Sequence, residues 1–149
     1  MTEPLEARSD VRRRRIPAGI SEVWAAVSDP ARVAQWWGPA GFRSTIHEFA
    51  FEPGGRWRLT MHGPDGRDYP NESRFARVVP GRLLEIEHLS GHHFLLTLEL
   101  EAEGAATVVR WRQLFDTVEH YERIRSLVEV ANEENLERLA AEVQRSPHG

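Results

Sequence analysis

An α+β domain is predicted for this chain, with a curved antiparallel sheet of about seven strands, two short helices and a long C-terminal helix set around a cavity. Three features predict it. Apolar residues recur at helical spacing over 20–37, alternate with a period of two from Phe42 to Phe115, and return to helical spacing from about Val118. The alternating region is punctuated by Gly54-Gly55, Pro64-Asp65-Gly66, Pro80-Gly81, Gly91 and Gly104, residues that supply the backbone angles of tight turns. Two adjacent tryptophans, Trp36-Trp37, run into Gly38-Pro39, a pairing of large apolar side chains with a helix stop that is unusual in a short chain.

The elements follow in order. Residues 7–16 contain Arg12, Arg13, Arg14 and Arg15; strand geometry sends alternate side chains to opposite faces, so the run reads as a charged edge strand and not as one basic patch. Ile16-Pro17-Ala18-Gly19 ends that strand. Ser21 is expected to cap a first helix, with Glu22 at its positive end and Val23, Trp24 and Val27 on its apolar face. Asp29-Pro30 starts a second, short helix that buries Val33, Trp36 and Trp37. His47, Phe49 and Phe51 then alternate with Ile46, Glu48 and Ala50, and Trp57, Leu59 and Met61 with Arg58, Thr60 and His62. Further strands are expected at 69–79, 83–88, 93–101 and 107–115. Asp116-x-x-Glu119 reads as a capping box for a last helix over 118–144. Its apolar stripe runs through Tyr121, Ile124, Leu127, Val128, Ala131, Leu139 and Val143, with Asn135 in the same row and Leu136 beside it.

Composition bounds the function. With 149 residues, 40% hydrophobic and 28% charged, the chain suits a single globular domain over 1–149. All 19 basic residues are arginine, and the net charge of −4 provides no general attraction to nucleic acid or to an anionic membrane. There is no cysteine, which excludes thiol nucleophiles, disulfides and thiolate metal sites. Residues 1–10 carry Glu3, Glu6 and Asp10 and no apolar run, unlike a secretory leader, and nothing approaches the ~20 apolar residues of a membrane span. The expected location is therefore cytoplasmic. The exposed strand edges and hairpins allow a homodimer.

A sheet of this length, bent by its twist, leaves more concave space than one helix fills, and an apolar cavity follows. A hydrophobic or amphipathic small molecule is the expected ligand. The residues expected to line it are Trp36, Trp37, His47, Trp57, Leu59, Met61, Tyr69, Asn71, Phe75, Trp111, Gln113, Leu127, Val128 and Asn132. A histidine beside a carboxylate is a workable acid–base pair, so His47 or His88 with Glu72 or Glu87 would serve a cyclase, hydratase or isomerase. Nothing calls for a cofactor or metal. His92 and His93 are adjacent and point apart on a strand, Gly54-Gly55 lacks the lysine and helix of a phosphate loop, and no Gly-x-Ser-x-Gly elbow exists.

One set of motifs resembles a known family. Pro17, Val23-Trp24, Asp29-Pro30, Trp36-Trp37-Gly38-Pro39, Gly41-Phe42, Pro53-Gly54-Gly55, Trp57, Met61, Gly63-Pro64-Asp65-Gly66, Tyr69 and Asn71-Glu72 are similar to the bacterial activator of Hsp90 ATPase homologue 1-like (AHSA1-like) proteins. The likeness spans roughly Asp10 to Val143 and implies the helix-grip fold of the START/Bet v 1-like (SRPBCC) superfamily, which includes lipid carriers, cyclases, self-resistance proteins and chaperone regulators. A chaperone-related or regulatory interaction module is accordingly a further alternative. Where many relatives carry Gly-Trp, this chain has Ala131-Asn132, a change expected to enlarge or polarise that part of the cavity.

Overall fold

A computed structural model describes residues 4–145 and has the helix-grip fold. A single turn of 3-10 helix at Glu6–Arg8 leads into β1 (Ser9–Ile16). Two short helices follow, α1 (Ile20–Ser28) and α2 (Pro30–Trp36). The meander comprises β2 (Arg43–Phe49), β3 (Arg56–His62), β4 (Asp68–Val79), β5 (Leu83–His88), β6 (Phe94–Glu103) and β7 (Ala106–Phe115). The chain then enters α3 (Val118–Gln144). All pairings are antiparallel, and the open seven-stranded sheet has the order β1-β7-β6-β5-β4-β3-β2. Among the described residues no helix is long and apolar enough to cross a membrane.

The caps depart from expectation at two helices. Ser21 lies inside the first turn of α1, because Gly19 holds the extended backbone of an N-cap and donates its N–H to Glu22 at 3.4 Å. Thr117, not Asp116, caps α3: its hydroxyl accepts from the His120 N–H at 3.1 Å, which leaves Glu119 on the surface beside Arg123 and Asp116 free to bind His93. Asp29 caps α2 as expected, accepting from Ala31 at 2.9 Å.

Two β-bulges decide which side chains face inward. Between Ile46 and Glu48 the strand carries one extra residue, His47, so that Ile46 opposite Leu59 and Phe49 opposite Trp57 both turn to the core. His47 thereby leaves the row of Phe49 and points out, where its Nε2 meets Thr60 Oγ1 at 2.8 Å. A second bulge between Phe75 and Arg77 likewise turns both Phe75 and Val78 inward.

The core is densest under α1 and α2. Trp57 stacks on Phe75 with centroids 5.7 Å apart, and Trp37 and Phe49 meet the Trp57 ring edge-on at 4.7 and 5.7 Å. Only about 10 Å³ of empty space remains among these rings and Val27, Val33 and Trp36, about the room of one water.

Candidate functional site

The long helix is buried at its ends and not in its middle. Tyr121 is buried, and the next buried side chain of α3 is Asn132. Ile124, Val128 and Ala131 are only half-buried, and Leu127 is 74% exposed. Beneath them lies a cavity of about 370 Å³, closed on the sheet side by Met61, Phe94, Leu96 and Trp111 and at one end by Trp37, Gly38 and Pro39. The exposed residues Leu127 and His92 mark where it meets solvent. A larger depression of about 500 Å³ is lined by Arg77, Arg82, Glu99 and Glu101 together with Ile20, Val79, Leu83 and Leu100, so that charged and apolar side chains share its wall. Apolar walls with a few convergent polar groups characterise small-molecule sites, and the cavity under α3 has both.

The polar groups come from four elements. Alternation on β4 turns Asn71 inward and Glu72 outward, where Glu72 lies 3.5 Å from Arg56. On β5, His88 faces in and Glu87 out, against Arg74. The His88 imidazole stacks on Phe94 at 4.5 Å, with Nε2 2.6 Å from Asn71 Oδ1 and Nδ1 2.6 Å from the His92 carbonyl oxygen. Burial pushes His88 below the ordinary histidine range, against an opposing pull from the His92 carbonyl. The neutral ring can donate to only one of its two oxygen partners. Gln113 on β7 and Asn132 on α3 add to the polar lining, with Asn132 Nδ2 2.9 Å from Gln113 Oε1.

Of the residues expected from the sequence to line a ligand site, Trp37, Met61, Asn71, Trp111, Gln113, Leu127, Val128 and Asn132 surround this cavity. The others are placed elsewhere. Trp36, Trp57, Leu59 and Phe75 are buried in the packed core behind it. Tyr69 is exposed on the β3–β4 hairpin, donating to Asp65 at 2.6 Å, and the bulge puts His47 on the outer face. His88 faces the cavity while Glu72 and Glu87 lie on the opposite face of the sheet, so the histidine–carboxylate pair envisaged for an enzyme is not assembled there. Sequence reasoning missed His92, Phe94, Leu96, Ile124, Ala131 and Asn135 as lining residues. Phe94 and Leu96 share an alternating row with Leu98 and Leu100, and Leu96 is as buried as they are; what separates the two pairs is that only the first lines the space beneath the middle of α3. Among the described residues no three histidine or carboxylate side chains gather as metal ligands.

The loop between α2 and β2 forms the cavity's end wall and is held by α3. Asn135 donates to the Trp36 carbonyl at 2.9 Å and accepts from the Gly38 N–H at 3.3 Å. Arg138 donates to the carbonyls of Gln35, Trp37, Gly38, Pro39 and Phe42 at 2.8–3.3 Å. Several of these oxygens are the orphan acceptors at the end of α2, and the guanidinium is a suitable cation for them. Gly38 has φ +99°, a left-handed backbone that strains any residue with a Cβ, so the turn into this wall favours glycine.

His93 bridges Asp116 at 2.7 Å and Glu87 at 2.8 Å. Hydrogen bonding to Glu87, and then to Asp116, raises its pKa. A raised histidine pKa contributes stability that is fully present below the unfolded value near 6.5 and is lost as pH rises through the folded value. His93→Gln is therefore expected to lower the urea midpoint near pH 5.5 and to leave it nearly unchanged at about pH 9. Because the side chain is 43% exposed and screened by solvent, the loss at low pH should be about 0.5 kcal/mol.

An open seven-stranded antiparallel sheet gripping one long C-terminal helix is the helix-grip fold, consistent with the SRPBCC superfamily. Residues 17–144 match the family described as activator of Hsp90 ATPase homolog 1-like protein, and the chain belongs to that family. A protein of Arthrobacter aurescens shares the fold with a TM-score of 0.87 at 22% identity, covering 97% of this chain and 91% of that one. A protein of Nitrosomonas europaea does so with a TM-score of 0.86 at 15% identity, over 97% and 99% of the two chains. The AHSA1-like protein of Aeromonas hydrophila gives 0.72 at 19% identity, over 95% and 99%. At these identities the likeness speaks for the fold alone. No curated protein matches the chain.

Proposed function

We propose that this protein binds a hydrophobic or amphipathic small molecule in the cavity between the sheet and α3. At the level of the family, the fold supports a ligand-binding or regulatory module. The observation that carries the finer reading is the unburied middle of α3. Ten consecutive helical positions, 122–131, have no buried side chain, although Ile124, Leu127, Val128 and Ala131 among them are apolar and line one space of about 370 Å³. Leaving such a stripe unfilled forgoes stabilisation of roughly 25 cal/mol per Å² of apolar surface, which a bound apolar ligand supplies. The volume lies within the range of about 300–1,000 Å³ typical of small-molecule pockets.

The test is a native mass spectrum of gently purified protein, followed by extraction of what is bound and a thermal-shift panel of lipids and polyketides. The expected outcome is a stoichiometric small molecule, or a rise in melting temperature with an apolar member of the panel. A clean apo mass with no shift across the panel would remove the reading.

A further inference from the structure

We infer that the cavity selects an uncharged ligand bearing a hydroxyl group, an alcohol or a phenol, over one bearing a carboxylate. The inference rests on the cavity being a ligand site and follows from a chain of hydrogen bonds whose direction is fixed from outside. Asp10 and Gln113 are register partners across β1 and β7, and Asn132 of α3 lies over both. The buried Asp10 carboxylate is paired with Arg12 at 2.8 Å and, ionised, can only accept. Asn132 must therefore turn its amide nitrogen toward Asp10, which it meets at 2.9 Å, and the same nitrogen donates to Gln113 Oε1 at 2.9 Å.

Two atoms are left over. Asn132 Oδ1, an acceptor, and Gln113 Nε2, a donor, have no hydrogen-bond partner among the described residues, and neither is one of the sealed orphan atoms of the core. Both belong to side chains that line the cavity, and both adjoin the same Asn132–Gln113 bond. A single hydroxyl satisfies the pair, accepting from Gln113 and donating to Asn132. A carboxylate cannot donate to Asn132.

A carboxylate would also arrive without an arginine to pair with it. Among the described residues, those lining the cavity include no Arg, Asp or Glu. Arg12 is taken up by Asp10 and by Glu133, each at 2.8 Å, so the charge behind Asn132 is net negative. Both nitrogens of His88 already face oxygens, and its burial disfavours the imidazolium. Desolvating an anion here would be unfavourable. The rings of Trp37, Phe94 and Trp111 suit an aromatic body for the ligand.

Three probes of one shape separate these contributions: naphthalene, 2-naphthol and 2-naphthoate, titrated into 15N-labelled protein at neutral pH with the side-chain amide signals of Gln113 and Asn132 followed by NMR. The expected result is that 2-naphthol binds roughly tenfold more tightly than naphthalene, that 2-naphthoate binds most weakly, and that both amide signals move only with 2-naphthol. In Gln113→Leu the ratio of naphthol to naphthalene affinity should fall toward one; if that variant does not fold, the order of the three probes in the wild type decides alone. Naphthoate binding as tightly as naphthol, or naphthol no better than naphthalene, would overturn the inference while leaving a ligand cavity in place. Failure of all three to bind would remove the cavity reading together with it.

Discussion

Arg138→Ala is expected to destabilise the protein by about 3 kcal/mol and to release the loop over 37–42 from α3. One guanidinium serves the carbonyls of Gln35, Trp37, Gly38, Pro39 and Phe42, and none of these bonds involves a carboxylate. Burial pushes the Arg138 pKa down, yet an arginine stays charged, so the carbonyl dipoles act in place of a counter-ion. Removing it strips five backbone acceptors at once, and those that water cannot reach bear the full cost of an unmade bond. The loss should appear as a fall in melting temperature of about 6–12 °C. Faster amide exchange should be confined at first to 37–42. Arg138→Lys should recover only part, since an ammonium has three donors and lacks the planar fork. A loss below about 1 kcal/mol would mean that Asn135 and the packing of Trp36 hold the loop unaided.

Trp57→Ala should cost about 3–5 kcal/mol, because a side chain only 1% exposed would leave a void among Trp37, Phe49 and Phe75. That region already packs to within one water's volume, and the rings around it are held by mutual edge and face contacts that cannot simply collapse. Trp57→Phe should cost much less than its lost area suggests, since the Trp57 indole N–H is buried with no hydrogen-bond partner and its removal relieves a desolvated donor. Equilibrium urea unfolding of the two variants checks both statements. Similar losses for Phe and Ala would show that the site relaxes around the smaller side chain.

The strand and helix order was readable because each signal is local. Turn residues and the switch of period place β4 to β7 within two residues of their observed bounds, and the last helix over the range expected. The cavity wall was harder. His47 was expected to face the ligand because it alternates with Phe49 and Phe51; one extra residue in the pairing with β3 reversed it, and nothing in the local pattern announces a bulge. Trp36, Trp57 and Phe75 look the same as Trp37 and Trp111 in sequence, since both sets are large and apolar at the proper spacing. Which set closes the core and which borders open space depends on where α1 and α2 dock, a long-range matter. The amide pair was half visible: Asn132 stood out only through the family resemblance, as an amide where many relatives carry tryptophan, while its link to Asp10 spans 122 positions and required the register of β1 with β7.

The proposed ligand site beneath α3 is tested most directly by filling it. Ala131 lines the cavity, and Ala131→Trp places an indole in that space without removing any hydrogen bond shown by the wild type. Wild type and variant should be titrated side by side with 2-naphthol and with any molecule recovered from the native protein. The expected result is saturable binding in the wild type, with signals moving at Leu96, Trp111 and Val128, and its loss in an Ala131→Trp protein that melts at or above the wild-type temperature. Undiminished binding in the filled variant, or signals moving instead around Arg77 and Glu101, would contradict a site beneath the helix.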